Sequence, residues 1–347
     1  MKKIISDVIN FPNDCETVRF TACFVSMLMR AEGITEKSQH SEIYNLYNAV
    51  SGYSFLQIDL SNDEHMREEW DMTCQKLLRE FDYYVGFTMD YAGYEFDEVQ
   101  APETEEDIFA KVKDSIDRDI PVLMQLMKGY QWVLITGYDD NKAFYGFDGS
   151  QGYWGKSPAE PEGYEDGLFI LPDWYEKLAH AFILGNKKNS GLTIDDVFRR
   201  GIQIMERMQE KSYFKNSISY MRNDENFNNL DNEQLLLMRS RISKWIGQPI
   251  DQRAVLGWCM NPLRKGKELD KKIVAYNAVH GLCWTTHDVL WIAWKALGEY
   301  MGGEPLDWAN GLKSKIVRNA IADCFDIVCR HDEGILGNLK DAFLEWK

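Results

Sequence analysis

Cys15 is the residue of this chain best suited by position to act as a nucleophile. It follows the loop NFPND. The apolar residues Val18, Ala22, Val25 and Met29 then recur at helical spacing until Gly33, a C-cap residue. That pattern puts Cys15 at a helix N-terminus, with Asp14 or an adjacent polar group as the cap. There the helix dipole and unpaired N–H groups favour thiolate over thiol. A thiolate so placed can attack an acyl carbon, and nearby donors can hold the oxyanion that forms. Asn10 and Asn13, just upstream, are the side-chain amides that could add such a donor. Cys23, mid-helix among apolar residues, reads as core.

A second cluster lies downstream. His280, Cys283 and His287 stand at i, i+3 and i+7 of a long helical pattern and so share one face. Imidazole and thiolate could line a pocket or ligate a metal. No clear fourth ligand accompanies them, and Trp284, Trp291 and Trp294 on the same helix argue for packing. The cluster is expected to be core, with no metal and no cofactor. His180, alone in the apolar run LAHAFILG, likewise reads as a core histidine.

The elements that must position Cys15 centre on residues 129–148. Trp132–Gly137 reads as a strand, Asp139–Lys142 as a turn and Ala143–Phe147 as a second strand ending at Asp148, which together predict a hairpin. Before it come a helix that begins at Thr104, with Glu105, Glu106 and Asp107 in its first turn and Ile108, Val112 and Ile116 on one face, and a strand over 120–126. Further upstream, 64–81 reads as a helix, and 53–58 and 83–87 as strands. After the hairpin a loop rich in Gly and Pro carries Tyr153 and Trp154. These two and Trp132 are the aromatic candidates for a substrate rim.

This order of elements resembles the papain-like cysteine peptidase superfamily. The match runs over residues 8–186 and rests on Asp14-Cys15 before an apolar helix and on Gly129–Gly137 with its closing Asp148. It is similar in particular to bacteriocin-processing peptidase domains and to the acyltransferases of butirosin-type aminoglycoside assembly. The resemblance implies an α+β fold with a papain-like domain at 1–186 and a mostly helical domain at 187–347. It also implies a thioester at Cys15 and a place in a bacterial biosynthetic pathway. Gln131 falls where the family has its base His, and Asp148 where the orienting acid stands. Glu16 replaces the peptidases' Gly, and no Gln lies at the usual oxyanion spacing upstream. A carboxamide does not titrate near neutral pH, so Gln131 cannot act as the base. The catalytic candidates are Cys15 as nucleophile, with Gln131 and Asp148 to orient or polarise groups around it. The alternative is a degenerate domain that binds a small molecule or peptide between the domains.

Charge separates the two halves. Residues 1–186 carry 15 Lys+Arg against 34 Asp+Glu, and residues 187–347 carry 24 against 21. So acidic a first domain disfavours nucleic acid and favours a cationic acceptor, beside a small-molecule, peptide or carrier-bound acyl substrate. The opening MKKIISDVINFPND lacks the apolar run of a secretory leader, and no window suits a membrane span. With seven irregularly spaced cysteines, this predicts a cytoplasmic protein with reduced thiols. The second half turns helical from Thr193. Helices are expected over 232–245, 252–259, 272–301 (the longest), 306–329 and 337–346.

Overall fold

The computed structural model describes residues 2–9, 18–67, 70–126, 131–148, 163–165, 167–265, 270–298 and 304–343. In chain order the elements are β1 (Lys3–Ile4), α1 (Arg19–Ala31), α2 (Lys37–Ser51), α3 (Asp63–Arg67), α4 (Trp70–Phe81) and α5 (Tyr84–Ala92). There follow β2 (Tyr94–Val99), α6 (Glu105–Asp117), β3 (Val122–Leu126), β4 (Gln131–Tyr138), β5 (Phe144–Asp148), β6 (Gly163–Glu165) and β7 (Leu168–Leu171). Then come α7 (Trp174–Lys177), β8 (Leu178–Lys187), α8 (Ile194–Glu210) and α9 (Tyr213–Arg222). Last are α10 (Asn232–Leu263), α11 (Lys271–Ala296), α12 (Pro305–Gly311) and α13 (Lys315–Phe343). The fold is mixed α+β.

Two compact units divide the chain: residues 1–51 with 83–193, and residues 52–82 with 194–347. The boundary expected at 186/187 thus falls at 193/194. A contiguous first domain is not what forms, because 52–82 packs with the helical unit. Its strand expectation at 53–58 fails for the same reason. Tyr53–Phe55 is a 3-10 turn, and the side chain of buried Arg253 donates to Ser54 O at 2.5 Å and Leu56 O at 3.4 Å. A guanidinium thus satisfies the carbonyls that a neighbouring strand would otherwise pair.

In the first unit the strands form one antiparallel sheet, in the order β2-β8-β3-β4-β5-β7-β6 with β1 added on β4. The predicted hairpin is β4–β5. Asp139 N donates to Ala143 O at 3.1 Å, and Asp139 Oδ1 accepts from Asn141 and Ala143 N–H groups, which closes the turn. One sheet face carries Val122, Met124, Leu126, Val133, Ile135, Ala181 and Ile183, and buries Ile108, Val112 and Ile116 of α6. The helix expected from Thr104 is α6, and Thr104 is its N-cap, accepting from Asp107 N at 3.2 Å. The opposite face carries Trp132 and Phe182 and packs against α1 through Phe20, whose ring centroid lies 4.9 Å from that of Trp132. Gly33, at φ +68°, follows the end of α1 as expected.

Residues 83–87 belong to a helix, not a strand. Tyr84, Val85, Thr88 and Met89 of α5 share a buried face, with Tyr84 edge-on to Phe20 at 5.0 Å, and left-handed Gly93 ends the helix. Burial at helical spacing has overridden the β propensity of the aromatics. In the second unit the two helices expected at 232–245 and 252–259 are one, α10, running through Pro249 and Pro262. Burial of Trp245, Ile246, Ile250, Arg253 and Leu256 around the first proline offsets the cost of about 3 kcal/mol that proline exacts inside a helix. At 32 residues α10 exceeds α11, at 26, which ends at Ala296 short of the expected 301. The helices expected at 306–329 and 337–346 are instead α12 and the continuous α13.

Candidate active site

The ends of several elements meet at one end of the first sheet. Leu126 at the end of β3 pairs with Gln131 at the start of β4. Asp148 at the end of β5 pairs with Val133, and Leu178 at the start of β8 pairs with Leu126. The first turn of α1 reaches the same end through Phe20 and Trp132, and Cys23 Sγ lies 3.8 Å from Trp132 O. The described segments that start at Val18 and Gln131 and those that stop at Leu126 and Asp148 therefore have these termini at this one end. Cys15, Asn10, Asn13, Tyr153 and Trp154 lie outside the described residues, as does the side chain of Asp148. The helix that follows Cys15 begins at Arg19 with Val18 as N-cap, so the first helical turn starts later than the Asp14 cap expected from sequence.

Alternation along the strands decides which polar groups face α1. Gln131 pairs with Leu126 and has the parity of Val133 and Ile135, which lie on the α6 face. Gln131 thus belongs to the face opposite α1, although the family pattern would bring it to the cysteine helix. The α1 face receives Trp132, Gln125 and His180, which stand side by side because Gln125 pairs with both Trp132 and His180. Gln125 is fully buried. The register of β8 shifts between Leu178 and His180, a strand irregularity of the type that re-aims side chains beside sites.

His180 is the group that sequence reasoning undervalued. Its Nδ1 stands 2.7 Å from Glu98 Oε1, each side chain 26% exposed, in a contact that departs from straight hydrogen-bond geometry. The phenol of Tyr83 donates to the other oxygen, Glu98 Oε2. Glu98 reaches His180 because β2 pairs with β8, Glu98 lying opposite Phe182. A carboxylate at Nδ1 favours the tautomer with Nε2 free to accept a proton. Nothing local in the sequence signals Glu98 or Tyr83, since both depend on that non-local strand pairing.

Of the other candidates, Trp132 is fully buried between Phe20 and Phe182, a wall and not an exposed rim. Cys23 is fully buried, as expected. His280, Cys283 and His287 do not form a ligand set. Cys283 is buried, and burial pushes its thiol pKa far up. His280 Nε2 accepts from Trp284 Nε1 at 3.1 Å, and His287 Nε2 from Trp291 Nε1 at 2.8 Å. Among the described residues no group of three or more His, Cys, Asp or Glu could hold a metal ion, and no helix is long and apolar enough to cross a membrane. Comparison of the chain with family models, curated proteins and solved structures finds no match.

Proposed function

We propose that residues 1–51 and 83–193 form a papain-like thiol domain that carries out acyl transfer or hydrolysis, with Cys15 as nucleophile and His180, oriented by Glu98, as base. The observation that carries this reading is the 2.7 Å contact of His180 Nδ1 with Glu98 Oε1 on the α1 face, at the end of the sheet where the chain enters α1. In this reading His180 Nε2 takes the Cys15 proton as sulfur attacks the acyl carbon, and the carbonyl electrons pass to oxygen. Collapse of the tetrahedral species expels the leaving group, which receives the proton from His180, and leaves a thioester on Cys15. An incoming water or amine gives its proton to His180, attacks the thioester and releases the acid or amide and the free thiol. Glu98 stabilises the imidazolium in both halves, and Gln131 takes no part in proton transfer. The acidity of residues 1–186 suits a cationic amine acceptor.

A second reading is a binding protein without chemistry, favoured by Gln131, which does not titrate at the position where the family carries its base. Whole-protein mass spectrometry after incubation with activated acyl thioesters separates the two. Thiol acyl transfer predicts an acyl adduct on the wild type, absent in Cys15→Ser and formed far more slowly in His180→Gln. No adduct on the wild type, with one appearing in Gln131→His, would support the binding reading.

A further inference from the structure

One face of α9 in the second unit carries Asn216, Ser219 and Tyr220 at i, i+3 and i+4, and Asn223 is the residue that follows the helix. With Ser61 and Asn226 they line a cleft of about 360 Å³. No charged residue lines it, in a chain of which 27% is charged.

The chain's own hydrogen bonds fix what these side chains offer. Asp59, 5% exposed, accepts from Ser61 Oγ at 2.6 Å and from Asn216 Nδ2 at 3.0 Å. A carboxylate only accepts, so the Asn216 amide must turn its NH2 toward Asp59 and leave Oδ1 available. Asn226 Nδ2 donates to Tyr220 O at 3.0 Å, which leaves its Oδ1. Ser219 Oγ donates to Lys215 O at 3.0 Å. Asn223 is reversed: its Oδ1 accepts from Glu225 N at 3.1 Å and Nδ2 remains. The side chains that line the cleft therefore hold two amide oxygens and two hydroxyl oxygens whose protons are already spent, against one amide donor. Tyr220, half-buried, adds a ring.

We propose that this cleft binds an uncharged polyhydroxylated small molecule, a monosaccharide or cyclitol. Hydroxyls donate to the four oxygens, one hydroxyl oxygen accepts from Asn223, and the C–H face of the ring packs on Tyr220. A carboxylate has no protons for the oxygens, and inorganic phosphate brings one or two P–OH protons for four oxygens together with a negative charge that no cation in the lining offsets. An ammonium has no acceptor for Asn223, and no carboxylate lines the cleft to offset its desolvation. This inference lies in the second unit and stands apart from the reading of the first.

Saturation-transfer NMR on the full chain with glucose, galactose and myo-inositol tests it, with methylammonium and inorganic phosphate as controls. Ser219 is exposed on its helix, and arginine is a good helix former, so Ser219→Arg fills the cleft without unfolding the protein. Saturation transfer to at least one polyol, lost in Ser219→Arg with an unchanged melting midpoint, is the expected result. Absence of transfer to all three polyols overturns the proposal. So does transfer that survives in Ser219→Arg, or transfer to methylammonium or phosphate alone.

Discussion

At the residue scale, a histidine in an apolar strand cannot be told from a core histidine until its partner is known. Glu98, 2.7 Å from Nδ1, supplies that partner, and on this contact the proposed function takes His180 as its base. The papain-like resemblance would put Gln131 at the position of the base, but strand parity gives it to the other face. These two residues make opposite predictions. His180→Gln should slow acylation of Cys15 by about 10²–10⁴-fold, the usual contribution of a positioned general base. Gln131→His should leave the rate within a few-fold of wild type, because an imidazole there cannot reach across the sheet. Single-turnover acylation followed by mass spectrometry measures both.

At the scale of elements, close packing turns ordinary propensities around. Gly201 lies within α8, where alanine would normally be better by about 1 kcal/mol. A Cβ there would stand 2.5 Å from the ring of Phe55, in the 3-10 turn packed on this helix. Gly201→Ala should therefore destabilise by about 1–3 kcal/mol, the cost of overpacking, as read from a denaturant midpoint with unchanged slope. A midpoint that rises instead would mean that Phe55 yields easily.

At the scale of the whole molecule, the second unit needs a segment that precedes it by more than a hundred residues. Gln57 donates to Asp332 at 2.7 Å, Arg253 holds both Asp332 and the 54–56 carbonyls, and Arg200 pairs with Asp82. A fragment beginning at residue 194 should thus lose cooperative unfolding, by circular dichroism and hydrogen exchange, since the buried Arg253–Asp332 pair would keep its mutual contact but lose Gln57 and the 54–56 carbonyls that complete it. The same unit should weaken in acid. Burial holds the imidazoles of His65, His280 and His331 below the ordinary histidine value, aided by Arg264 for His280. His65 Nδ1 and His280 Nε2 both accept hydrogen bonds that protonation would break. The unfolded chain takes up these protons below about pH 6.5, and the folded chain resists them. Their stabilisation is complete above that pH and is lost as pH falls toward the folded values. The melting midpoint should drop between about pH 7.5 and pH 5.5, and His65→Gln should flatten that slope.

Local pattern by itself determined the body of α1 with Gly33 after its end (but not its start), the helix from Thr104, a strand within 120–126 and the β4–β5 hairpin. In each of these, turn chemistry and hydrophobic period agree within a few residues. The same pattern foresaw the core place of Cys23 and the helical second half. Only tertiary structure decided the rest. Apolar 53–58 and 83–87 have β-like composition, yet Arg253 takes up the carbonyls of one and a helical face buries the other. The meeting of His180 with Glu98 depends on the pairing of β2 with β8, strands far apart in the chain. Such pairing is fixed by burial of whole faces at once, which no local stretch of residues encodes.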